Sequence, residues 1–315
     1  MKKFPLESLF DIILHGKYKF SEFENCQLNE EVTRIQVRSR TVYSPSSKLK
    51  SFHYFLNMVL CEQLTLNESA VFSYRKGIST LDAVKSHVSN KYFFQTDITS
   101  FYSSITRSMI DRVIEVNKPN IPISDIDKFH TRILDFISYD GLLPTGFSTS
   151  PLISNSVLIE FDNIFTQYCM KKELVYTRYS DDIIVSSKND FDIDVEKIIS
   201  EFLDELYGDA FNLNSKKSRY SHVGQRIKVL GMVILPNGDI TIDKKQKKEI
   251  EVLLHFYRED YSRFRDIIED DLDKGMARIS GILNYIKNID ESYYHKLMSK
   301  YGVTTVDILT KKADK

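Results

Sequence analysis

Residues 175–187 read Val-Tyr-Thr-Arg-Tyr-Ser-Asp-Asp-Ile-Ile-Val-Ser-Ser. Two β-rich apolar runs flank four polar residues, Tyr179, Ser180, Asp181 and Asp182. This pattern predicts a hairpin with turn-forming residues at its bend. Ordinary Ser-Asp turns are common, so the bend alone decides little. Adjacent carboxylates at the tip of a buried hairpin are nevertheless costly unless a cation sits with them.

Working outward, residues 91–97 (Lys-Tyr-Phe-Phe-Gln-Thr-Asp) form an almost wholly apolar run ending in Asp97. Central buried strands have that composition. Asp97 could instead cap a helix expected over 103–116, but Ser100, Ser103 and Thr106 stand closer to it. Between the two acidic stretches, residues 140–151 hold two glycines, two prolines and a Ser/Thr cluster, a loop signature. Ser150-Pro151 reads as the cap and first turn of a helix over 151–171. Such a loop offers backbone N–H groups to a phosphate or a base, or is a plain loop–helix joint.

Apolar spacing predicts further helices over 6–14, 47–64, 80–87, 124–139 (capped by Ser124) and 195–206. Others are expected over 244–257, 261–271, 274–289 and 291–301. Strands or hairpins are expected over 31–43, 211–214 and 227–235, with a turn at 236–239 leading to 240–242. Residues 311–315 read as a frayed tail.

The 315 residues are 42% hydrophobic, enough for one large domain or two to three subdomains. The formal net charge of -1 excludes a global basic field, so any nucleic-acid surface must be local. One such stretch exists. Residues 215–248 hold nine Lys/Arg and two acids, Asp239 and Asp243. The three cysteines, Cys26, Cys61 and Cys169, have neither disulfide-framework nor zinc spacing and read as reduced thiols in a cytoplasmic protein. No signal peptide and no apolar run of membrane-spanning length is found.

If the strand ending at Asp97 and the 179–182 bend are neighbours in one sheet, three carboxylates converge. Clustered carboxylates are oxygen ligands for Mg²⁺, which leaves coordination sites for substrate phosphates. A pair of such ions serves in-line phosphoryl transfer. Arg75 and Lys76, beside Gly77, would hold a triphosphate. Lys216 or Lys217 would lie near the pyrophosphate, and the basic stretch would follow a nucleic-acid backbone.

In combination and order, these motifs resemble those of reverse transcriptases, most closely the short bacterial retron and defence-associated enzymes. Arg40 to Ser46 resembles the first fingers motif. Residues 93–105, with Asp97, Phe101 and Tyr102, resemble motif A. Leu143-Pro144-Thr145-Gly146 through Asn155 resembles motif B, with Thr145 where many relatives have Gln. Tyr179-Ser180-Asp181-Asp182 resembles motif C, Asn214 to Lys217 motif D, and Val229-Leu230-Gly231 the primer-grip region.

The resemblance implies an α+β right-hand polymerase: fingers, a palm of antiparallel sheet packed on helices, and a helical thumb. It implies fingers over 1–90, palm over 91–102, fingers and palm helices over 103–140, palm over 141–235 and thumb over 236–315. Asp97, Asp181 and Asp182 are the implied catalytic residues and metal ligands, assisted by the Ile98 carbonyl, with two Mg²⁺ ions or Mn²⁺ as substitute. Arg75, Lys76, Tyr102, Thr145, Gly146, Asn155 and Lys217 are expected around the nucleotide, Tyr102 beneath its sugar. Arg38, Arg40, Lys216, Arg219, Arg226, Lys228, Lys244, Lys245 and Lys248 are expected on nucleic acid. The implied activity is RNA-directed DNA synthesis from dNTPs. A structured noncoding RNA would serve as primer and template, giving an RNA-linked DNA (msDNA). The implied role is antiphage defence with separate effector proteins. Two other readings compete: a template-independent abortive-infection-type DNA polymerase, and a non-catalytic nucleic-acid-binding scaffold.

Overall fold

The computed structural model describes residues 2–38, 40–224, 227–268 and 271–311. The chain opens with helices α1 (Leu6–Leu14), α2 (Phe20–Glu24) and α3 (Leu28–Glu31). Strands β1 (Val32–Val37) and β2 (Arg40–Pro45) follow as an antiparallel hairpin, then α4 (Ser47–Val59). Ser46 caps α4 by accepting from the Leu49 N–H. Next come α5 (Thr80–Lys85), β3 (Tyr92–Asp97), the short α6 (Phe101–Ser104), α7 (Arg107–Asn117) and α8 (Ile126–Ile137).

Two helices therefore follow Asp97 where one was expected, and Thr106 caps the second. Asp125, not Ser124, stands at the start of α8, and its carboxylate accepts from the Leu6 N–H at 2.8 Å. The helix expected over 151–171 is two, α9 (Ser150–Val157) and α10 (Ile159–Lys171). Ser150 is already helical, and its hydroxyl donates to the Pro144 carbonyl rather than capping.

The decisive hairpin is β4 (Val175–Tyr179) and β5 (Asp182–Ser187), with Tyr179 paired to Asp182 across the two-residue loop Ser180-Asp181. After α11 (Val195–Tyr207), residues 211–214 make only an isolated bridge, Leu213 to Ile98, in place of the expected strand. Then follow β6 (Arg219–His222), β7 (Ile227–Val229), β8 (Met232–Ile234) and β9 (Ile240–Ile242). The single strand expected over 227–235 is a hairpin, because Leu230 (φ 46°) and Gly231 (φ 88°) turn the chain between β7 and β8. Two consecutive positive φ angles are what a tight two-residue hairpin loop requires. The described residues after β9 are mostly helical: α12 (Lys244–Glu259), α13 (Tyr261–Ile267), α14 (Leu272–Ile289), α15 (Glu291–Tyr301) and α16 (Val303–Lys311). Lys311 thus ends a helix, and the rest of the expected tail lies outside the described residues. No helix among those described is long and apolar enough to cross a membrane.

Two compact units result. The first comprises residues 1–79, 94–187 and 191–219. The four-stranded sheet has the order β4-β5-β3-β6. The core of this unit is aromatic, with Phe10, Phe23, Phe52, Phe55 and Phe136 fully buried. Phe23 and Phe136 stack with centroids 4.4 Å apart, a contact that adds to the area they bury. The second unit comprises 80–93, 188–190 and 220–315. It holds the β7-β8-β9 sheet and a core drawn from α12 to α16 around Leu254, Phe264, Ile279 and Leu283.

Candidate active site

Asp97 ends a strand that is buried from Phe93 onward, so its position is fixed by its neighbours in the sheet. Immediately after it, the Ile98 N–H donates to the Asp181 carbonyl at 3.1 Å. That one backbone bond brings together two acids far apart in sequence. On the other side the Asn214 N–H donates to the Asp97 carbonyl at 2.8 Å, and the Thr99 N–H to the Asn212 carbonyl at 2.8 Å. The segment 212–217 is thereby held beside Asp97, and Lys217 Nζ reaches Asp97 Oδ2 at 2.9 Å.

The resulting cleft, about 750 Å³, lies wholly within the first unit. Asp97, Ile98, Asp181 and Asp182 line it, with Tyr102, Thr145, Lys217 and Arg40. These expected residues meet. Others do not enter it. Arg75 is turned onto Glu68 and the Val71 carbonyl, and Lys76 pairs with Glu62 at 2.8 Å. Asn155 is fully buried and bonded to Ser73. Gly146 (φ 111°) packs where a Cβ would overlap the Tyr43 carbonyl, and the Tyr43 N–H donates to the Thr145 carbonyl at 2.8 Å. Glycine there allows close backbone contact.

The cluster concentrates negative charge. Partial burial, then repulsion from Asp181 and Asp97, pushes the Asp182 carboxyl up to about 6, against the pull of Lys217 and Arg219. Asp97 Oδ1 is buried without a hydrogen-bond partner. A buried orphan carboxylate oxygen is costly, and a hard divalent ion accepting oxygen ligands would satisfy it. The donor set fits magnesium. Among the described residues another group of possible metal ligands, Asp111, Glu115 and His130, lies on α7 and α8 outside the cleft. Lys118 already neutralises Glu115 there at 2.6 Å.

Beneath the hairpin lies a polar network that the sequence reading missed. Arg178 is fully buried, donating to Asp162 Oδ1 and Oδ2 at 2.8 and 2.5 Å and to the Ser180 carbonyl at 2.9 Å. Tyr176 adds its hydroxyl to Asp162 at 2.7 Å. From the far side, Ser73 Oγ accepts the Ser180 N–H at 2.8 Å and itself donates to Asn155 at 3.0 Å. Ser180 is thus gripped at its N–H by Ser73 and at its carbonyl by Arg178, and the carbonyl of Asp181, one residue on, is held by Ile98. Arg178 was visible as a signal: a charge two residues from Tyr176, hence on the same face of a strand that reads as buried.

The expected nucleic-acid residues are dispersed. Arg38 sits in the β1–β2 turn with φ 55°, and Lys216 is exposed. Arg219 donates to Gln95 at 3.0 Å. Arg226 lies outside the described residues. In the second unit, Lys228 pairs with Asp243 at 3.1 Å. Lys244 and Lys248 border a groove of about 660 Å³ with Lys247, His255 and Lys300, and Lys245 borders another with Arg278.

An antiparallel sheet with helices, bearing a carboxylate cluster between a strand end and a hairpin tip, defines a right-hand polymerase. The family model described as "Reverse transcriptase (RNA-dependent DNA polymerase)" matches residues 37–234. The chain belongs to that family and is of its retron type, an RNA-directed DNA polymerase. It is 30% identical over 273 residues to the Retron Ec73 reverse transcriptase of Escherichia coli, covering 83% of this chain and 83% of the relative. It is 23% identical to the Retron Ec83 enzyme (90% of this chain, 89% of the relative) and 25% to the Retron Ec86 enzyme (84% and 78%), both of Escherichia coli. Among solved structures, a telomerase from Candida albicans with a telomeric RNA fragment aligns with a TM-score of 0.47 at 12% identity, covering 88% of this chain and 58% of that one.

Proposed function

We propose that the enzyme copies a structured noncoding RNA, which is both primer and template, into an RNA-linked single-stranded DNA (msDNA). The observation that carries this reading is the Ile98–Asp181 backbone bond, which gathers Asp97, Asp181 and Asp182 at one cleft. Asp97 and Asp181, with the Ile98 carbonyl, would hold two magnesium ions, Mn²⁺ substituting, and Asp182 completes the acidic cluster. Bound there, the ions supply Lewis-acid charge for in-line attack of a primer hydroxyl on the nucleotide α-phosphate and for the departing pyrophosphate.

The protein's own parts do the rest. Lys217 presents its ammonium at the rim beside Asp97, where the pyrophosphate would leave. Tyr102 packs below the incoming sugar, and Thr145 with Gly146 borders the nascent base pair. Arg38, Arg40, Lys216 and Arg219, with Arg226, Lys228, Lys244, Lys245 and Lys248, contact the nucleic-acid backbone. In this reading residues 1–90 are fingers, 91–102 palm, 103–140 fingers and palm helices, 141–235 palm and 236–315 thumb. The enzyme acts in the cytoplasm, in antiphage defence with separate effector proteins.

Primer extension with Mg²⁺ and dNTPs tests the site. Wild type extends a primed RNA template and Asp181→Asn does not; equal extension by both removes the site assignment. Sequencing the nucleic acid that copurifies with the protein tests the retron reading. A structured RNA carrying covalently attached DNA is expected, and free RNA or untemplated DNA would overturn it.

A further inference from the structure

Among the aromatic side chains that line the cleft and that none of these roles uses, Tyr74 is bonded to Tyr102. Tyr74 is 42% exposed and lines the same wall as Tyr102. Its hydroxyl lies 3.2 Å from the Tyr102 hydroxyl and donates to Ser180 Oγ at 3.3 Å. It therefore joins the residue under the incoming sugar to the loop that carries Asp181.

Three residues around this contact have left-handed backbone. Tyr74 has φ 57°, Ser180 φ 60°, and Ser100, just ahead of the Phe101-Tyr102 helix, φ 52°. The left-handed region is unfavourable for a bulky side chain. Such outliers persist where the surroundings over-determine them, and they mark functional positions. The surroundings are on hand. Ser73 is fully buried, bonded through its hydroxyl to Asn155 and to the Ser180 N–H. The adjoining chain is laced to β4, the Phe72 N–H donating to the Arg178 carbonyl at 3.0 Å and the Arg178 N–H to the Ala70 carbonyl at 2.7 Å. Tyr74 is thus mounted on the hairpin itself and aimed at Tyr102. Burial first and its Tyr74 partner second raise the pKa of the Tyr102 hydroxyl, while hydrogen bonding with Ser154 and Ser180 lowers it.

We infer that Tyr74 is a specificity-determining residue, fixing the Tyr102 ring through its hydroxyl so that the enzyme discriminates deoxyribonucleotides from ribonucleotides. The inference rests on the reading of Tyr102 as the residue beneath the sugar. A ring that is free to tilt leaves room for a 2′-hydroxyl; a ring pinned at its far end does not. Tyr74 acts through Tyr102, so it is a positioning residue.

The test is the ratio of kcat/KM for a dNTP to that for the matching rNTP on a primed RNA template. It is measured for wild type, Tyr74→Phe and Tyr102→Ala. Both substrates are read on the same molecules, so a change in the folded fraction cancels. Loss of one neutral hydrogen bond predicts a fall in the ratio of about fivefold for Tyr74→Phe, between wild type and Tyr102→Ala. A Tyr74→Phe ratio at or above wild type, with Tyr102→Ala relaxed, overturns the role of Tyr74 and leaves Tyr102 as the gate. A Tyr102→Ala ratio equal to wild type overturns both.

Discussion

Lys217 and Asp97 form an ion pair across 120 residues, with the ammonium 2.9 Å from Oδ2. The carboxylate is buried and the lysine largely exposed. The hydrogen bond to Asp97 raises the lysine's pKa, so the ammonium stays charged in the working pH range. Lys217 is a tethered counter-ion to Asp97, and in the proposed function it would compete there with a divalent ion. Removing it has two opposed consequences. Lys217→Met is expected to lower the Mg²⁺ concentration for half-maximal primer extension, since a competitor is gone. It is also expected to lower kcat by about 10²-fold, the scale for one lost charge-stabilising group. A Mg²⁺ titration of both enzymes reads both effects. A rise in the half-saturating concentration would show that Lys217 shapes the cluster rather than competes for it.

Asp182 makes stability depend on pH with a definite sign. Its carboxyl is raised to about 6 by partial burial and by Asp181 and Asp97, above the ordinary carboxylate value of 3.8. A raised folded-state value means the stabilising contribution is complete below the unfolded value and is lost as pH climbs through about 6. Asp182→Asn should therefore melt at a higher temperature than wild type above pH 6, in EDTA. The gap should close as pH falls toward 4. With Mg²⁺ added at pH 7.5 the order should reverse, because wild type alone keeps the full cluster. Melting curves from pH 4 to 8 decide it, and a gap that widens on acidification would refute the assignment.

Where the sequence was legible, a local rule had a chemical reason behind it. The hairpin at Tyr179–Asp182 was readable because two acids at a strand bend are expensive without a purpose. Asp97 was readable because it ended an apolar run. Arg75 and Lys76 were not, because a cation beside a glycine looks the same whether it faces a phosphate or a nearby Glu68 or Glu62. The break at Leu158 has no proline or glycine to announce it. It follows from Arg178, whose guanidinium takes the Asn155 carbonyl at 3.0 Å, an acceptor an unbroken helix would keep for itself. The β7–β8 turn hid for a related reason: Leu230 adopts φ 46°, which its side chain gives no hint of.

Gly146 shows a backbone requirement that can be tested cleanly. Its φ of 111° disfavours any side chain, and a Cβ would strike the Tyr43 carbonyl, a backbone atom that cannot swing aside. Gly146→Ala is expected to cost at least about 2 kcal/mol in urea unfolding, combining left-handed strain with overlap. Thr145 would shift with it, so KM for dNTP should rise. Gly16 supplies the control, since it has φ 73° but open space around a Cβ. Gly16→Ala should cost only about 1 kcal/mol, the strain alone. Equal losses at both positions would mean that the Tyr43 contact relaxes freely.

The Arg178–Asp162 pair carries the last prediction, and it separates stability from catalysis. Both side chains are fully buried, and Arg178 spends its donors on Asp162, Asn155 and the Ser180 carbonyl. Breaking such a pair leaves an uncompensated charge, so Arg178→Met or Asp162→Leu alone should lose about 3–5 kcal/mol. Replacing both removes both charges, and apolar pairs of similar volume often match a buried ion pair. The double variant Arg178→Met/Asp162→Leu should therefore recover part of the lost stability, the buried Tyr176 hydroxyl being left without its Asp162 acceptor. It should not recover polymerisation, because the Ser180 carbonyl still lacks its donor and the Asp181 loop loses one of its three backbone anchors. Urea unfolding and primer extension on the same preparations read the two properties separately. A double variant that is stable and fully active would show that Ser73 and Ile98 suffice to hold the loop, and that Arg178 serves packing alone.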